Sequence, residues 1–396
     1  MSYSYTSRSS HYNKPRPSNG RGRRNQPNKQ TIHASKFVQA AKPVQIDAYT
    51  PTHQFADFTI HSLLKQNIIA KGYKTPSPIQ DQAIPHGLNG QDIIGIANTG
   101  TGKTAAFAIP ILNKLFDDKK SRALIIAPTR ELAQQIEEEF RSFAKGSGLF
   151  GALLIGGSSM GLQLRDLRSN PNIVIGTPGR IKDHLERRTL NLSLFNIIVL
   201  DEVDRMVDMG FINDIRYLLG ALAPVRQSLF FSATIDPKIE GLIQSFLTNP
   251  VTISVKTGQT GENIEQNVIR YNHSSEKIDK LHDLLTREDV AKTLIFDETH
   301  RNVDRLTKEL EVRGFNVDAI HGGKSQGHRQ QALRRFRNND IKVLVATDVA
   351  ARGIDISDIT HVINYSVPNT YDDYIHRIGR AGRAGRIGHA LTFVNP

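Results

Sequence analysis

An α/β protein of two tandem domains, each a mostly parallel sheet flanked by helices, is the fold class this sequence predicts. Three observations carry it. The chain has 396 residues, too many for one ordinary core and a natural length for two. From Phe55 onward, short apolar runs rich in β-branched residues alternate with longer helical stretches. Residues 256–263 (KTGQTGEN) break that alternation with Gly, Thr and polar residues, after which it resumes. The expected organisation is a basic tail over 1–48, a first domain over 49–256, a linker over 257–263 and a second domain over 264–396. With the last expected strand ending near the final residue, no C-terminal targeting segment is expected.

The first segment is rich in Ser, Asn, Pro, Gly and Arg, with too little apolar surface to offset the entropy of ordering, so it reads as disordered. The formal charge of +12 belongs largely to it. Nine lysines and arginines precede the first acidic residue, Asp47, leaving only +3 for the rest of the chain. Such an arm is attracted to polyanions and should add non-specific affinity for nucleic acid. The absence of cysteine excludes disulfides, zinc–thiolate sites and cysteine nucleophiles, and fits a reducing compartment. No apolar run approaches the roughly 18 residues of a membrane span, and there is no secretory signal. The Arg- and Ser-rich start is similar to a mitochondrial transit peptide, but Pro15, Pro17, Gly20, Gly22 and Pro27 interrupt any amphipathic helix. A cytoplasmic monomer without membrane contact is expected.

The strands come next. In the first domain the runs are 92–97 (DIIGIA), 123–127 (ALIIA), 152–156 (ALLIG), 172–176 (NIVIG), 197–200 (IIVL) and 229–232 (LFFS). In the second they are 293–296 (TLIF), 317–321 (VDAIH), 343–346 (VLVA), 362–365 (VINY) and 390–394 (ALTFV). Their brevity and helical spacers predict strands buried on both faces of a parallel sheet.

Residues 97–104 (ANTGTGKT) follow the first of these runs and precede a helical stretch, which is the strand–loop–helix setting of a phosphate loop. Gly100 and Gly102 let backbone N–H groups turn toward phosphate oxygens at a helix N-terminus, with Thr99 and Thr101 in the same ATP-binding loop. Lys103 is placed to reach the β/γ-phosphates and Thr104 to offer a hydroxyl to Mg²⁺. Ala97 stands where the general pattern has Gly. The run 197–200 ends on Asp201 and Glu202, followed by Val203 and Asp204. An Asp-Glu pair after a strand is alone an ordinary solvated helix start. Beside a phosphate loop it is a nucleotide hydrolase signature, with Asp201 holding the metal, mostly through water, and Glu202 orienting the attacking water. In the second domain, residues 376–383 (HRIGRAGR) place three arginines within seven residues. They suit either a surface phosphate patch or an arginine finger aimed at transition-state charge.

Taken together, these motifs resemble the DEAD-box RNA helicases, from Phe55 to the C-terminus and in the family's order. The resemblance implies RecA-like domains, ATP and Mg²⁺ as cofactors and RNA as the partner, gripped through its backbone with little sequence specificity. Residues 72–80 (GYKTPSPIQ) are similar to the adenine-reading motif, in which Gln80 bonds the adenine edge and Phe55 or Tyr73 supplies an aromatic surface. Pro128, Thr129 and Arg130, the pair Gly156 and Gly157, and Thr177, Pro178, Gly179 and Arg180 match the RNA-backbone motifs of the first domain. Gln326, Arg329 and Thr347 match those of the second. Gly353 and Asp355 correspond to nucleotide contacts made on closure. By the same resemblance Arg380 and Arg383 are the fingers and His376 pairs across the cleft with Asp204, while Ser232 and Thr234 link Asp204 to the RNA side. Two departures are visible. Asn98 replaces the more usual glutamine, and Val203 replaces alanine at an expected packing cost of roughly 1 kcal/mol or less.

The activity this implies is local, ATP-driven separation of RNA duplexes or remodelling of RNA–protein complexes. An ATP-gated RNA clamp or annealing factor shares every motif. A translocating helicase is disfavoured by the adenine-reading motif and by Asp204, where translocases carry histidine.

Overall fold

The computed structural model describes residues 32–41, 49–98, 100–255, 263–351, 356, 358–382 and 386–395. Two parallel sheets organise it. The first domain runs α1 (Ser62–Ala70), α2 (Pro78–Leu88), β1 (Ile93–Ile96), α3 (Lys103–Asp117), β2 (Ala123–Ile126), α4 (Arg130–Phe143), β3 (Gly151–Leu154), α5 (Met160–Arg168) and β4 (Ile173–Gly176). It continues through α6 (Pro178–Glu186), β5 (Ile197–Leu200), α7 (Val203–Asp208), α8 (Ile212–Gly220), β6 (Gln227–Ser232), α9 (Pro237–Phe246) and β7 (Val251–Ser254). The second domain runs β8 (Ile264–Arg270), α10 (Ser274–Leu285), β9 (Thr293–Phe296), α11 (His300–Val312), β10 (Val317–Ile320) and α12 (Gln326–Arg337). It ends with β11 (Val343–Ala346), α13 (Asp348–Ala351), β12 (His361–Asn364), α14 (Tyr371–Ile378) and β13 (Gly388–Val394).

The sheet orders are β3-β4-β2-β5-β6-β1-β7 and β10-β11-β9-β12-β13-β8, and every pairing between these strands is parallel. The reason is visible in β2. Ala123 and Ile125 feed one apolar cluster and Leu124 and Ile126 the other, so both faces are buried and covered by helices. In the second sheet Val343 and Val345 face one cluster and Leu344 and Ala346 the opposite one. Helix α4 shows how the layers close. Thr129 caps it by accepting from Leu132 N at 3.3 Å, and Leu132, Ala133, Ile136, Phe140 and Phe143 line its buried stripe.

Three differences from the sequence reading bear on the site. Strands β7 and β8 were not among the expected runs, because β7 buries only Ile253 and β8 alternates buried Ile264 and Gln266 with polar exposed residues. Asn263, counted with the linker, packs on the second domain, where its Nδ2 donates to Gly382 O and, at 3.0 Å, to Arg386 O. Residues 32–41, counted with the disordered tail, are built onto the second domain. A 3-10 turn (Ala34–Phe37) buries Phe37 completely, and Gln39 forms an antiparallel bridge with Gln266 of β8.

Candidate functional site

Since all strands of a sheet are parallel, the loops after β1 to β6 emerge at one edge. The sheet order then sorts them. The loops after β3, β4 and β2 occupy one half, and those after β5, β6 and β1 the other.

On the β1 side, Gly100 and Gly102 adopt φ of +81° and +89°, the left-handed turn that brings the chain into α3. Lys103 is buried and its Nζ donates to Ala97 O at 2.9 Å, across the mouth of its own loop. Thr104 stands in the first turn of α3, half-buried. The loop is clasped from α2. Ser77 Oγ donates to Thr101 O at 2.7 Å and Gln80 Nε2 to Gly102 O at 3.0 Å, while Gln80 Oε1 accepts from Ser77 N at 2.9 Å. A Cβ on Gly102 would lie 2.3 Å from Gln80 Nε2. Gln80 thus reports on the phosphate loop directly. Of the two aromatics, Phe55 is buried and Tyr73 half-buried. Phe55 is 1% exposed, set edge-to-face against Tyr73 at 5.4 Å, and Tyr73 donates its hydroxyl to Glu139 at 2.7 Å. Phe55 offers no open face, because a ring without polar groups gains more by joining the adjacent core. Asp81, unnoticed in the sequence, ties residues 49–53 to α2. It accepts from Tyr49 Oη at 2.5 Å, Thr52 N at 2.8 Å and His53 N at 3.1 Å. Burial alone would raise its carboxyl, but these bonds hold it below its ordinary value.

After β5, Asp201 and Glu202 are 2% and 4% exposed. Glu202 takes a left-handed φ of +53°, with its N–H on Asp201 Oδ1 at 3.0 Å. Burial pushes Asp201 up to about 7, with the Lys103 ammonium opposing and the Glu202 and Asp204 carboxylates adding to the rise. Glu202 pairs with Arg205 at 3.0 Å, both side chains about 95% buried, an ion pair that sequence reading missed. Asp204 Oδ2 accepts from Ala233 N and Thr234 N, both at 3.0 Å, and from Thr234 Oγ1 at 3.3 Å, while Ser232 Oγ accepts from Asp204 N at 3.2 Å. Asp204 is therefore hydrogen-bonded to the loop after β6. Val203 is fully buried in the same apolar cluster as Met206 and Val207, so its extra methyl groups lie in the core.

In the other half, Pro128, Thr129 and Arg130 follow β2, Gly156 and Gly157 follow β3, and Thr177 to Arg180 follow β4. Arg130 lies flat on the glycine pair, since a Cβ on Gly157 would meet its Nη1 at 2.5 Å. Thr177 and Pro178 start α6, and Gly179 faces open space. The second domain meets this half. Arg329 Nη2 bridges to Glu131 Oε1 at 2.8 Å, and Gln326 Nε2 donates to Gln134 Oε1 at 3.3 Å. Burial, and then the Arg329 guanidinium, pull Arg130 below its ordinary value while Glu131 opposes. Gln326 Oε1, Arg329 Nε and Thr347 Oγ1 are buried without a hydrogen-bond partner. These are the three residues expected to contact RNA from this domain.

Near α14, Arg380, His376, Asp348 and Asp373 line a small cleft with Arg377. Arg377, which sequence reading passed over, is a buried clamp. It reaches Asp348 through Nε at 2.5 Å and Nη2 at 2.7 Å, and Ser366 O through Nη1 at 2.7 Å. Thr99, Gly353, Asp355 and Arg383 lie outside the described residues. Glu131, Arg205 and Arg377 carry no local sequence signal, because the meaning of each charge depends on a partner that only the folded chain supplies.

Sequence models of two families match: "DEAD/DEAH box helicase" over residues 77–242 and "Helicase conserved C-terminal domain" over residues 276–385. The chain is 45% identical over 347 residues to the DEAD-box ATP-dependent RNA helicase CshA of Bacillus licheniformis, covering 87% of this chain and 71% of that one. Among solved structures, Dbp5 of S. cerevisiae bound to RNA and ADP BeF3 aligns with a TM-score of 0.75 at 30% identity, over 86% of this chain and 89% of that one. A DEAD box protein of Methanococcus jannaschii, at 38% identity and covering 86% and 93%, aligns with a TM-score of only 0.51.

Proposed function

Because the chain belongs to the DEAD-box family of ATP-dependent RNA helicases, we propose that it grips an RNA backbone where the Arg130 and Arg329 loops meet, and couples that grip to ATP hydrolysis at Lys103, Asp201 and Glu202. The observation that carries this reading is the contact between Arg329 and Glu131. Two guanidiniums stand beside one carboxylate, and three polar atoms remain buried without partners. An anion with several acceptor and donor oxygens relieves both costs, and the phosphates and 2′-hydroxyls of RNA supply them. The domain arrangement supports it, since the alignment is closer to the RNA-bound Dbp5 than to the more identical Methanococcus protein.

ATP occupies the turn before α3. Lys103 exchanges its bond to Ala97 O for phosphate oxygens, and the Gln80 clasp moves with the loop. The donor set of Thr104, Asp201 and Glu202 fits a hard divalent cation, because it is all oxygen and the buried carboxylates outweigh the cations beside them. Thr104, Asp201 and Glu202 would hold Mg²⁺ there, which would supply positive charge to offset the negative charge of phosphoryl transfer. Glu202 orients the attacking water, and Arg380 and Arg383 approach the phosphate from the second domain. Asp204, bonded to residues 233–234, follows β5, the strand of the nucleotide half that pairs with β2 of the other half, and carries the state of one half to the other. If both ligands favour the closed form, each raises the other's affinity.

The test is steady-state ATP hydrolysis with and without single-stranded RNA, with DNA of equal length as control. Strong stimulation by RNA alone is expected, and Glu202→Gln should trap an ATP-bound complex on RNA. Equal stimulation by DNA would sink the reading. A parallel duplex-separation assay distinguishes unwinding from clamping.

A further inference from the structure

The two sheets correspond strand for strand, except that β1 is flanked on its outer side by β7 and β8 has no following strand to flank it. Residues 32–41 stand at that edge. Gln39 N donates to Gln266 O at 3.0 Å and Gln266 N to Gln39 O at 2.8 Å, the reciprocal pair of an antiparallel bridge. The same Gln266 accepts the Tyr374 hydroxyl at 2.8 Å, which joins the bridge to α14. Phe37 is fully buried against Tyr374 at 4.7 Å between ring centroids, in a cluster with Ile264, Ile378, Ala390 and Val394. Lys36 Nζ lies 5.6 Å from the Tyr371 ring centroid.

Helix α14 is only eight residues long and carries His376 and Arg377 before the chain reaches Arg380. Its fixings come from two sides. The Arg377 clamp holds it to Asp348, and Phe37 with Gln39 holds Tyr374 and Ile378. A short helix has little rigidity of its own, so the direction of Arg380 depends on these fixings.

We propose that residues 32–41 form the missing edge of the second sheet and that Phe37 is a positioning residue for Arg380, acting through Tyr374 and Ile378. The docking stands on the contacts alone; its consequence for hydrolysis rests on reading Arg380 as a finger. The segment remains on the second domain through the whole cycle, because the contacts that seat it, those of Phe37 and Gln39 among the described residues, are made with β8, α14 and β13 of that domain.

Phe37→Ala in the full chain, assayed well below its melting temperature, is expected to lower RNA-stimulated kcat at least tenfold while ATP affinity without RNA is unchanged. Phe37→Leu, which restores apolar volume, recovers most of the rate. In an Arg380→Ala background, Phe37→Ala should produce no further loss, as expected for residues acting in series. A multiplicative loss in the double variant, or an unchanged kcat in Phe37→Ala alone, overturns the proposal. If Arg380→Ala itself hydrolyses ATP normally, the finger reading falls first, and the two failures are told apart.

A second measurement covers a Phe37 variant that fails to fold. The chain has no cysteine, so Gln39→Cys with Gln266→Cys introduces a single pair, at the roughly 5.5 Å Cα spacing of a hydrogen-bonded antiparallel bridge. Oxidised and reduced forms should hydrolyse ATP equally, with the same RNA stimulation. Loss of turnover on oxidation, restored by reductant, would show that the segment must leave, and would refute the proposal.

Discussion

Position for position, β3-β4-β2-β5-β6-β1 of the first domain corresponds to β10-β11-β9-β12-β13-β8 of the second, yet the loops at equivalent corners do opposite things. After β1 the chain turns through Gly100 and Gly102 and buries Lys103 at the mouth of a phosphate cradle. After β8 it passes through Tyr271 and Asn272 with no glycine, and Asn272 N is capped by Glu276 at 2.7 Å. The lysine that follows, Lys277, lies 4.0 Å from the Tyr365 ring centroid and 4.8 Å from that of Tyr271. One lysine is held ready to exchange partners; the other is fixed between rings. The shared topology supplies an edge where loops collect, and loop chemistry decides what binds there.

That contrast is sharpest in the lysines. Lys103→Ala is expected to lower RNA-stimulated hydrolysis by about 10³-fold, the scale of losing a directed donor to a developing oxyanion. Lys277→Ala should leave the rate unchanged. Similar losses from both would break the comparison. Next in size, Arg205→Ala strands Glu202 as an unpaired buried acid and should cost about 3–5 kcal/mol in denaturant unfolding. Removing the exposed Arg287–Asp289 pair of the second domain should cost less than about 1 kcal/mol.

The domains should also separate by pH. Strand β12 begins with His361 where β5 begins with Ile197. Burial, with the neighbouring His389 ring adding to it, pulls His361 down to about 4. The folded state prefers the neutral ring, so this contribution is fully present above pH 6.5 and is lost as pH falls toward 4, by up to about 3 kcal/mol. Thermal melts from pH 7 to 4.5 should show the second domain weakening first, and His361→Gln should flatten the trend. Val203→Ala should cost about 1–2 kcal/mol through a cavity beside Met206 while hydrolysis is retained. A rate loss larger than the stability loss would mean that Val203 acts through Asp204.

The sheets were readable because strands buried on both faces are written as unbroken apolar runs. Strands β7 and β8 escaped because edge strands bury half as much and keep their polar residues. Lys103, Asp201 and Asp204 were legible because their chemistry is local, set by a loop and a strand end. Arg205, Asp81 and Glu131 were not, since each draws its meaning from a partner brought close by folding, as when Arg329 meets Glu131 across nearly 200 residues of chain. Phe37 stood as one aromatic in a stretch of polar residues, with no periodicity to mark it. Phe55 carried a familiar motif position, but its burial in the adjacent core could be read only from the fold.

The docking of Phe37 also sets an order of assembly on the ribosome. Its seat is built from Ile264, Tyr374, Ile378, Ala390 and Val394, so a segment made early waits for strands made more than 350 residues later. At about 5–20 residues per second that wait is roughly 20–70 s. Partway through it, once β7 has been made, the first domain has all its strands and folds alone, while Phe37 and its neighbours remain nascent chain. The second domain closes its outer edge last, with a piece of protein synthesised before any of its own.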